Sequence, residues 1–295
     1  MKMKSKPVIW GILILTHGRP DNVKTTAVLR RCGYTGPIKY VIDNEDKMAD
    51  EYYANFPDDV IMFDKEAIAR QIDESDNFND RRTITYARNA AYDIAKTLGW
   101  SHFIQMDDDY TSFVWKFDDD FRYKQKPIRN LQGLFQSMID FMVDTQADTI
   151  ALAQGGDYIG GDISAIARTI NICLKFKRKS MNTFVCAVDK PIKFISRMNE
   201  DVSTYTSLGS IGRLFFTFNI GIVNQTETQS NPGGITELYQ RYGTYVKSFY
   251  TVMRMPSCVK VTAMNTSKPR MHHEISWRNC VPAILDEKWR KTNGR

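Results

Sequence analysis

A chain of 295 residues, 42% apolar and 25% charged, has the composition of an ordinary soluble globular protein and enough material for a sizeable core in one large α/β domain or two small ones. The net charge of +6 and isoelectric point of about 8.9 are compatible with a polyanionic partner without implying one. No stretch is long enough to span a bilayer, and five scattered cysteines, none at CxxC spacing, argue against a zinc site and read as reduced thiols in a cytosolic protein.

The chain opens MKMKSK-PVIWGILIL, which has the basic and apolar parts of a signal peptide. The apolar part is short and runs into THGRPD instead of a small-residue cleavage site, so residues 8–15 read as a first buried strand ending in a polar turn. Asp21 can cap a helix over DNVKTTAVLRRCGY, where Val23, Ala27, Val28 and Cys32 fall at helical spacing and Gly33 is a stop. IKYVIDNED is a second strand ending in acids, and 52–63 holds a short link and a third strand, VIMFD. Residues 65–80 are polar and acidic and read as a loop, after which ITYARNAAYDIAKTLGW is the clearest helix, closed by Gly99. SHFIQMDDDY is the next strand. The first 110 residues thus alternate strand and helix, which predicts a parallel sheet wrapped by helices, with ligands beyond the carboxyl ends of its strands.

The later chain is less regular. FVWKFDDDFRYK reads as a hairpin with acids at its turn, LQGLFQSMIDFMVDT as an amphipathic helix, and TIALAQGG as a strand entering the glycine-rich loop GGDYIGGD. KRKSMNTFVCAVDKP suggests a strand pair with a basic lead-in; beyond it come helices near 203–208 and 236–249 and the β-rich run RLFFTFNIGIV. No repeat, low-complexity tract or clear linker interrupts 1–295, so one continuous domain is the simplest reading.

Asp43, Glu45 and Asp46 follow one predicted parallel strand, and Asp107, Asp108 and Asp109 follow another. Like charges this close raise each other's pKa, so a positive partner belongs near them. Both sets fall on one sheet edge. Converging carboxylates there suit a hard divalent cation, Mg²⁺ or Mn²⁺, held by one or two carboxylates plus substrate phosphates.

The strand ending in THGRP, the strand ending in DNED, the helix carrying Ala87-Arg88-Asn89 and the run Met106-Asp107-Asp108-Asp109 together resemble a GT-A nucleotide-sugar glycosyltransferase with its DxD motif, over residues 8–110. The resemblance implies a Rossmann-like mixed sheet flanked by helices. Residues 1–110 would be the nucleotide-sugar-binding half, and 111–295 the half that binds the acceptor and completes the metal site. It implies that Thr16, Arg19, Asp43 and Glu45 hold the nucleotide, that Arg88 reaches the nucleotide or its diphosphate, and that Asp107 and Asp108 stand on the nucleotide side. Asp109, with Asp107, would bind the metal, a Lewis acid for the leaving diphosphate. Asn199-Glu200-Asp201-Val202 resembles the acidic pair that supplies a catalytic base in inverting members, and Met271-His272-His273-Glu274 the late histidine that completes the metal site.

The sharper resemblance is to the TET-associated glycosyltransferases, found largely in bacteriophages, through THGRP, the ARN helix, MDDDY and RMHHEISW. It implies a UDP-sugar donor, double-stranded DNA carrying 5-hydroxymethylpyrimidine as acceptor, no membrane, and a place in the host cytoplasm. Lys175, Lys177, Arg178 and Lys179, with Phe176 among them, could then contact DNA phosphates, with Lys268 and Arg270 adding to them.

Each motif also has a plainer reading. Asp107, Asp108 and Asp109 could be a solvated turn, Arg88 a surface ion pair, Glu200 and Asp201 a helix cap, the histidines structural, and the basic run a solvated face. The second triplet, 118–120, reads as a hairpin turn. The rival functions are the same chemistry on a protein, glycan or small-molecule acceptor, a metal-dependent nucleotidyl- or phosphotransferase, and a non-catalytic DNA-binding module.

Overall fold

The computed structural model describes residues 7–120, 122–154, 174–175, 180–226, 235–243, 245–264 and 270–280. The first strand, β1 (Trp10–Leu15), is buried at every residue. Ile12 and Ile14 enter one core cluster, and Leu13 and Leu15 the other. That period of two marks a strand covered on both faces, which is why its sequence is apolar throughout. A 3-10 turn at Pro20–Asn22 leads to α1 (Lys24–Arg31), followed by β2 (Ile38–Asp43), α2 (Ala49–Asn55), β3 (Val60–Phe63), α3 (Lys65–Ala69), α4 (Thr85–Thr97) and β4 (His102–Asp107). β1 pairs in parallel with both β2 and β4, and β2 in parallel with β3.

The structure departs from the sequence pattern at several local points. Asp21 does not cap α1: Pro20 starts a turn early, Val23 stands at the cap without a side-chain hydrogen bond, and Asp21 accepts from Asn55 Nδ2 at 3.1 Å. The link before β3 includes α2, and the loop expected at 65–80 opens with α3, whose cap Asp64 accepts from the Ala67 N–H at 3.0 Å. Helices of seven and five residues are too short to leave a readable apolar period. Gly33 does end α1; its φ is +85°, and a Cβ there would lie 2.2 Å from the Arg129 carbonyl oxygen.

β5 (Tyr110–Phe117) and β6 (Tyr123–Pro127) form the expected hairpin. Then come α5 (Leu131–Thr145), β7 (Thr149–Gln154), β8 (Leu174–Lys175), β9 (Phe184–Ala187), α6 (Glu200–Ser210), β10 (Phe215–Gln225), α7 (Thr236–Tyr242), α8 (Val246–Arg254), β11 (Val259–Met264), β12 (Arg270–Ile275) and α9 (Trp277–Cys280). The strand pair expected over 177–191 is a single strand among the described residues, β9, inserted antiparallel between β4 and β7. The helix expected over 236–249 is two, parted where Gly243 takes φ +83°.

The main sheet runs β3-β2-β1-β4-β9-β7-β10-β5-β6, with β8 beside β10, and β11 and β12 form a separate hairpin. This is the α/β mixed sheet expected from the sequence. Val28 and Leu29 of α1 and Phe135 and Ile139 of α5 fill one face; Ala91 and Ile94 of α4 and Val202 and Tyr205 of α6 fill the other. Cys32, Cys186, Cys258 and Cys280 are free, buried thiols. Among the described residues no helix is long and apolar enough to cross a membrane.

Candidate active site

Because β1, β2 and β4 run parallel, Thr16, Asp43 and the Asp107-Asp108-Asp109 triplet leave the sheet along one edge. The triplet splits three ways. Asp108 turns inward: its side chain is 2% exposed, accepts from Thr16 Oγ1 at 2.6 Å and pairs with Arg19 Nη2 at 3.0 Å. Tyr52 Oη stands 2.7 Å from Thr16 Oγ1 and accepts the Arg19 N–H at 2.9 Å, so the turn after β1 is braced against the triplet. Asp107 takes Arg88 Nη2 at 3.2 Å. Asp109 is pushed up to about 7, first by burial and then by the charges of Asp107 and Asp108, with Arg19 opposing.

The acids after β2 are equally organised. Asp43 is met by His17 Nδ1 at 2.8 Å and Lys65 Nζ at 3.2 Å. Burial alone would raise its pKa, but the hydrogen bonds and charges of His17 and Lys65 hold it below the usual carboxylate value. Glu45 pairs with Arg81 and lies 3.9 Å from Lys65 Nζ. Asp46 accepts the Gly18 N–H at 2.7 Å and the Met48 N–H at 2.9 Å. This fixes the polar turn beside the edge.

Arg88 of α4 joins this edge to the second half of the chain. It is 2% exposed, and its Nε donates to Glu200 Oε1 at 3.1 Å while Nη2 holds Asp107. The rings of Phe184 and Phe194 flank its guanidinium at 5.1 and 5.7 Å. Burial would lower the pKa of this arginine, but Asp107 and Glu200 raise it, so the cation is secure. Glu200, at the first turn of α6, is pushed up to about 7 by burial first and by the adjacent Asp201, against the pull of Arg88. Asp201 is buried, accepts the Val202 N–H at 2.7 Å, and raises the pKa of Asp107 by its charge, after the larger effect of burial. Two sets of carboxylates thus face each other across Arg88. One of each set is poised near neutrality, as a group that exchanges a proton or attracts a cation should be.

Several expected site residues sit differently from the sequence reading. Arg88 lies beneath the carboxylates and is committed to Asp107 and Glu200, because a buried guanidinium requires charged partners. Asp108 serves as a brace to Thr16 and Arg19. His272 and His273 lie on β12 with ring centroids 4.2 Å apart, and His273 Nδ1 is 3.2 Å from Asn199 Nδ2, just ahead of Glu200. Among the described residues no three His, Cys, Asp or Glu side chains gather to hold a metal ion, so Asp107, Asp109, His272 and His273 do not form a closed protein cage. Asp107, 23% exposed, and the half-buried Asp109 are two carboxylate donors, the number that a cation completed by substrate phosphates and water calls for. The side chain of Lys175, the whole of Lys177, Arg178, Lys179 and Lys268, the side chain of Arg270 and the GGDYIGGD loop lie outside the described residues. The sequence reading passed over His17, Lys65 and Arg81. Only His17 carried a signal, standing between the chosen Thr16 and Arg19.

The family model described as TET-Associated Glycosyltransferase matches residues 10–234, well over half of the chain. A search of curated proteins finds no match. Among solved structures, glucosyl-3-phosphoglycerate synthase from Mycobacterium tuberculosis, in complex with Mg²⁺ and uridine-diphosphate, is similar at 9% identity and TM-score 0.44, covering 91% of this chain and 88% of that one. The same enzyme with Mn²⁺, UDP-glucose and phosphoglyceric acid gives 9% identity and TM-score 0.45, covering 92% and 90%. S. aureus TarS 1-349 gives 11% identity and TM-score 0.41, covering 83% and 66%. Identities this low say nothing about substrate.

Proposed function

This chain belongs to the TET-associated glycosyltransferase family and is a glycosyltransferase; from that premise we propose that it moves a sugar from a UDP-sugar to the hydroxyl of a 5-hydroxymethylpyrimidine in double-stranded DNA. The observation that carries the reading is the pair of carboxylate sets joined by buried Arg88, which reaches Asp107 at 3.2 Å and Glu200 at 3.1 Å.

On this reading Thr16, Arg19, Asp43 and Glu45 line the nucleotide's side of the edge. Arg19, 28% exposed and already on Asp108, is within the reach of an anionic substrate group. Asp109 and Asp107 would hold Mg²⁺ or Mn²⁺, which neutralises charge on the leaving diphosphate when bound. The proton of the acceptor hydroxyl passes to the Glu200–Asp201 pair. The freed oxygen attacks the sugar's anomeric carbon, the bond from that carbon to the diphosphate oxygen breaks, and UDP departs with the electron pair. A single displacement of this kind inverts the anomeric centre. Arg88 keeps Glu200 and Asp107 apart in charge while holding them close in space. The major groove already presents the pyrimidine 5-position, so the acceptor can be reached without full base flipping. Lys175, Lys177, Arg178 and Lys179 are the proposed phosphate contacts, and DNA binding should weaken steeply with salt.

The test is analysis of the nucleotide product from a panel of nucleotide sugars, with Mn²⁺ and with chelator. Metal-dependent release of UDP supports glycosyl transfer. Release of UMP or of a sugar 1-phosphate instead points to phosphoryl or nucleotidyl transfer and overturns the reading.

A further inference from the structure

The Ala87-Arg88-Asn89 stretch contains a residue to which the reaction assigns nothing. Asn89 Nδ2 donates to the Thr85 carbonyl at 2.7 Å and the Phe194 carbonyl at 3.0 Å, and Asn89 Oδ1 accepts the Phe194 N–H at 3.0 Å. One side-chain amide therefore pairs with both polar groups of a single backbone residue, as a neighbouring strand would. The Phe194 ring held in this way is buried, lies edge-on to Phe184 at 5.2 Å, and flanks the Arg88 guanidinium. Arg88 then reaches Asp107 and Glu200 at 3.2 and 3.1 Å.

The chain from Phe194 to Glu200 is held in the same manner. Thr85 Oγ1 donates to the Ser196 carbonyl at 2.7 Å and Thr83 Oγ1 to the Arg197 carbonyl at 2.8 Å. Ser196 and Asn199 take φ values of 73° and 51°, left-handed conformations that non-glycine residues keep where their surroundings impose them. Arg197, between them, is buried and paired with Asp76 at 2.8 Å and with Glu74. A segment this constrained ends where α6 begins, at the two acceptor-side carboxylates.

We propose that Asn89 is a positioning residue for sugar transfer: by pairing with the Phe194 peptide it sets where segment 194–199 delivers Glu200 and Asp201 relative to Asp107. This rests on the reading of the two carboxylate sets as a transfer site. It acts through backbone placement and touches no substrate.

The test compares Asn89→Ala and Asn89→Asp with the native protein; the aspartate keeps the acceptor for the Phe194 N–H and loses both donated bonds. Three quantities are read well below the unfolding temperature: hydrogen exchange over 194–201 and over β4, UDP affinity with Mn²⁺ by calorimetry, and steady-state transfer. Asn89→Ala should speed exchange over 194–201 and leave β4 and UDP affinity unchanged. It should lower kcat by about 10²-fold, the loss that a displacement of about 1 Å produces, and Asn89→Asp, whose carboxylate would face the Thr85 and Phe194 carbonyl oxygens, should lose at least as much. Should the alanine variant fail to fold, Asn89→Asp and Thr85→Val carry the same readouts. Unchanged exchange over 194–201, or equal loss of UDP affinity and kcat, overturns the proposal. A native protein that transfers no sugar removes the transfer reading, and with it the proposed role, while the exchange result still decides whether Asn89 governs the segment.

Discussion

Replacing Arg88 by Met would leave Asp107 and Glu200 facing each other without the cation that bridges them at 3.2 and 3.1 Å. Removing one partner of a buried ion pair typically destabilises by about 3–5 kcal/mol. The Asp107 side chain keeps 23% exposure, so water recovers part of its charge and the lower end applies, about 3 kcal/mol. For a domain this large that is a fall in Tm of roughly 6–12 °C. The loss should depend on pH. Glu200 stands at about 7, against an ordinary value of 4.5, so the folded state binds more protons than the unfolded one across that window. Stability therefore falls as pH rises through it. Arg88 limits that fall; in Arg88→Met the carboxyl rises further, and stability keeps falling above the point where the native protein levels off. Thermal unfolding in metal-free buffer should show a small deficit near pH 5 and the full one near pH 8. An equal deficit at both, or one below about 1 kcal/mol at the higher pH, would refute the bridging role.

The folded Asp109 carboxyl stands at about 7 against an ordinary 3.8, so it also lowers stability as pH rises between those values. Asp109→Asn should abolish transfer yet raise Tm near pH 8 in metal-free buffer, with the gain disappearing below about pH 4; a lower Tm near pH 8 contradicts this. Lys65→Met leaves buried Asp43 with His17 as its one side-chain partner beside the Glu45 N–H, and should lose about 1–3 kcal/mol at neutral pH by urea unfolding, with weaker UDP binding. Asp43 is held below its ordinary value, so its contribution is present above that value and lost as pH falls. The deficit should shrink in acid, and a deficit that grows there counts against the pairing. Gly33→Ala combines a φ of +85° with a Cβ 2.2 Å from the Arg129 carbonyl oxygen. It should cost about 2 kcal/mol or more by the same method, and an unchanged midpoint would show that the turn relaxes freely.

The alternating first half was legible because β1, β2 and β4 are largely buried and the longer helices carry a clear apolar stripe. α2 and α3 were missed because helices of seven and five residues span at most about two turns and are defined by their caps and contacts. β9 sits in the sheet between β4 and β7 although it lies far from both in sequence, and no local pattern reports such an insertion. The carboxylates after β2 and β4 were visible as acids at strand ends, and Glu200 and Asp201 only through the family resemblance. Their partners were not: Lys65 reads as part of a polar loop, and Arg81, which pairs with Glu45, lies just beyond it. The motif singles out Arg88, and the resemblance implies that it reaches the nucleotide or its diphosphate; its burial between Asp107 and Glu200 is not legible, because sequence shows charge and not burial. Asn89 stood in that motif unassigned, since its partner Phe194 is 105 positions away.

Nucleoside mass analysis tests the central claim most directly. Hydroxymethylated DNA would be incubated with the protein, Mn²⁺ and a panel of nucleotide sugars, then digested to nucleosides. A new nucleoside heavier by one sugar, absent with chelator and with Asp109→Asn, is the expected result. Unmodified nucleosides beside metal-dependent release of UDP and free sugar would contradict the DNA acceptor, and unmodified nucleosides with every donor intact would contradict the proposed donor and metal chemistry.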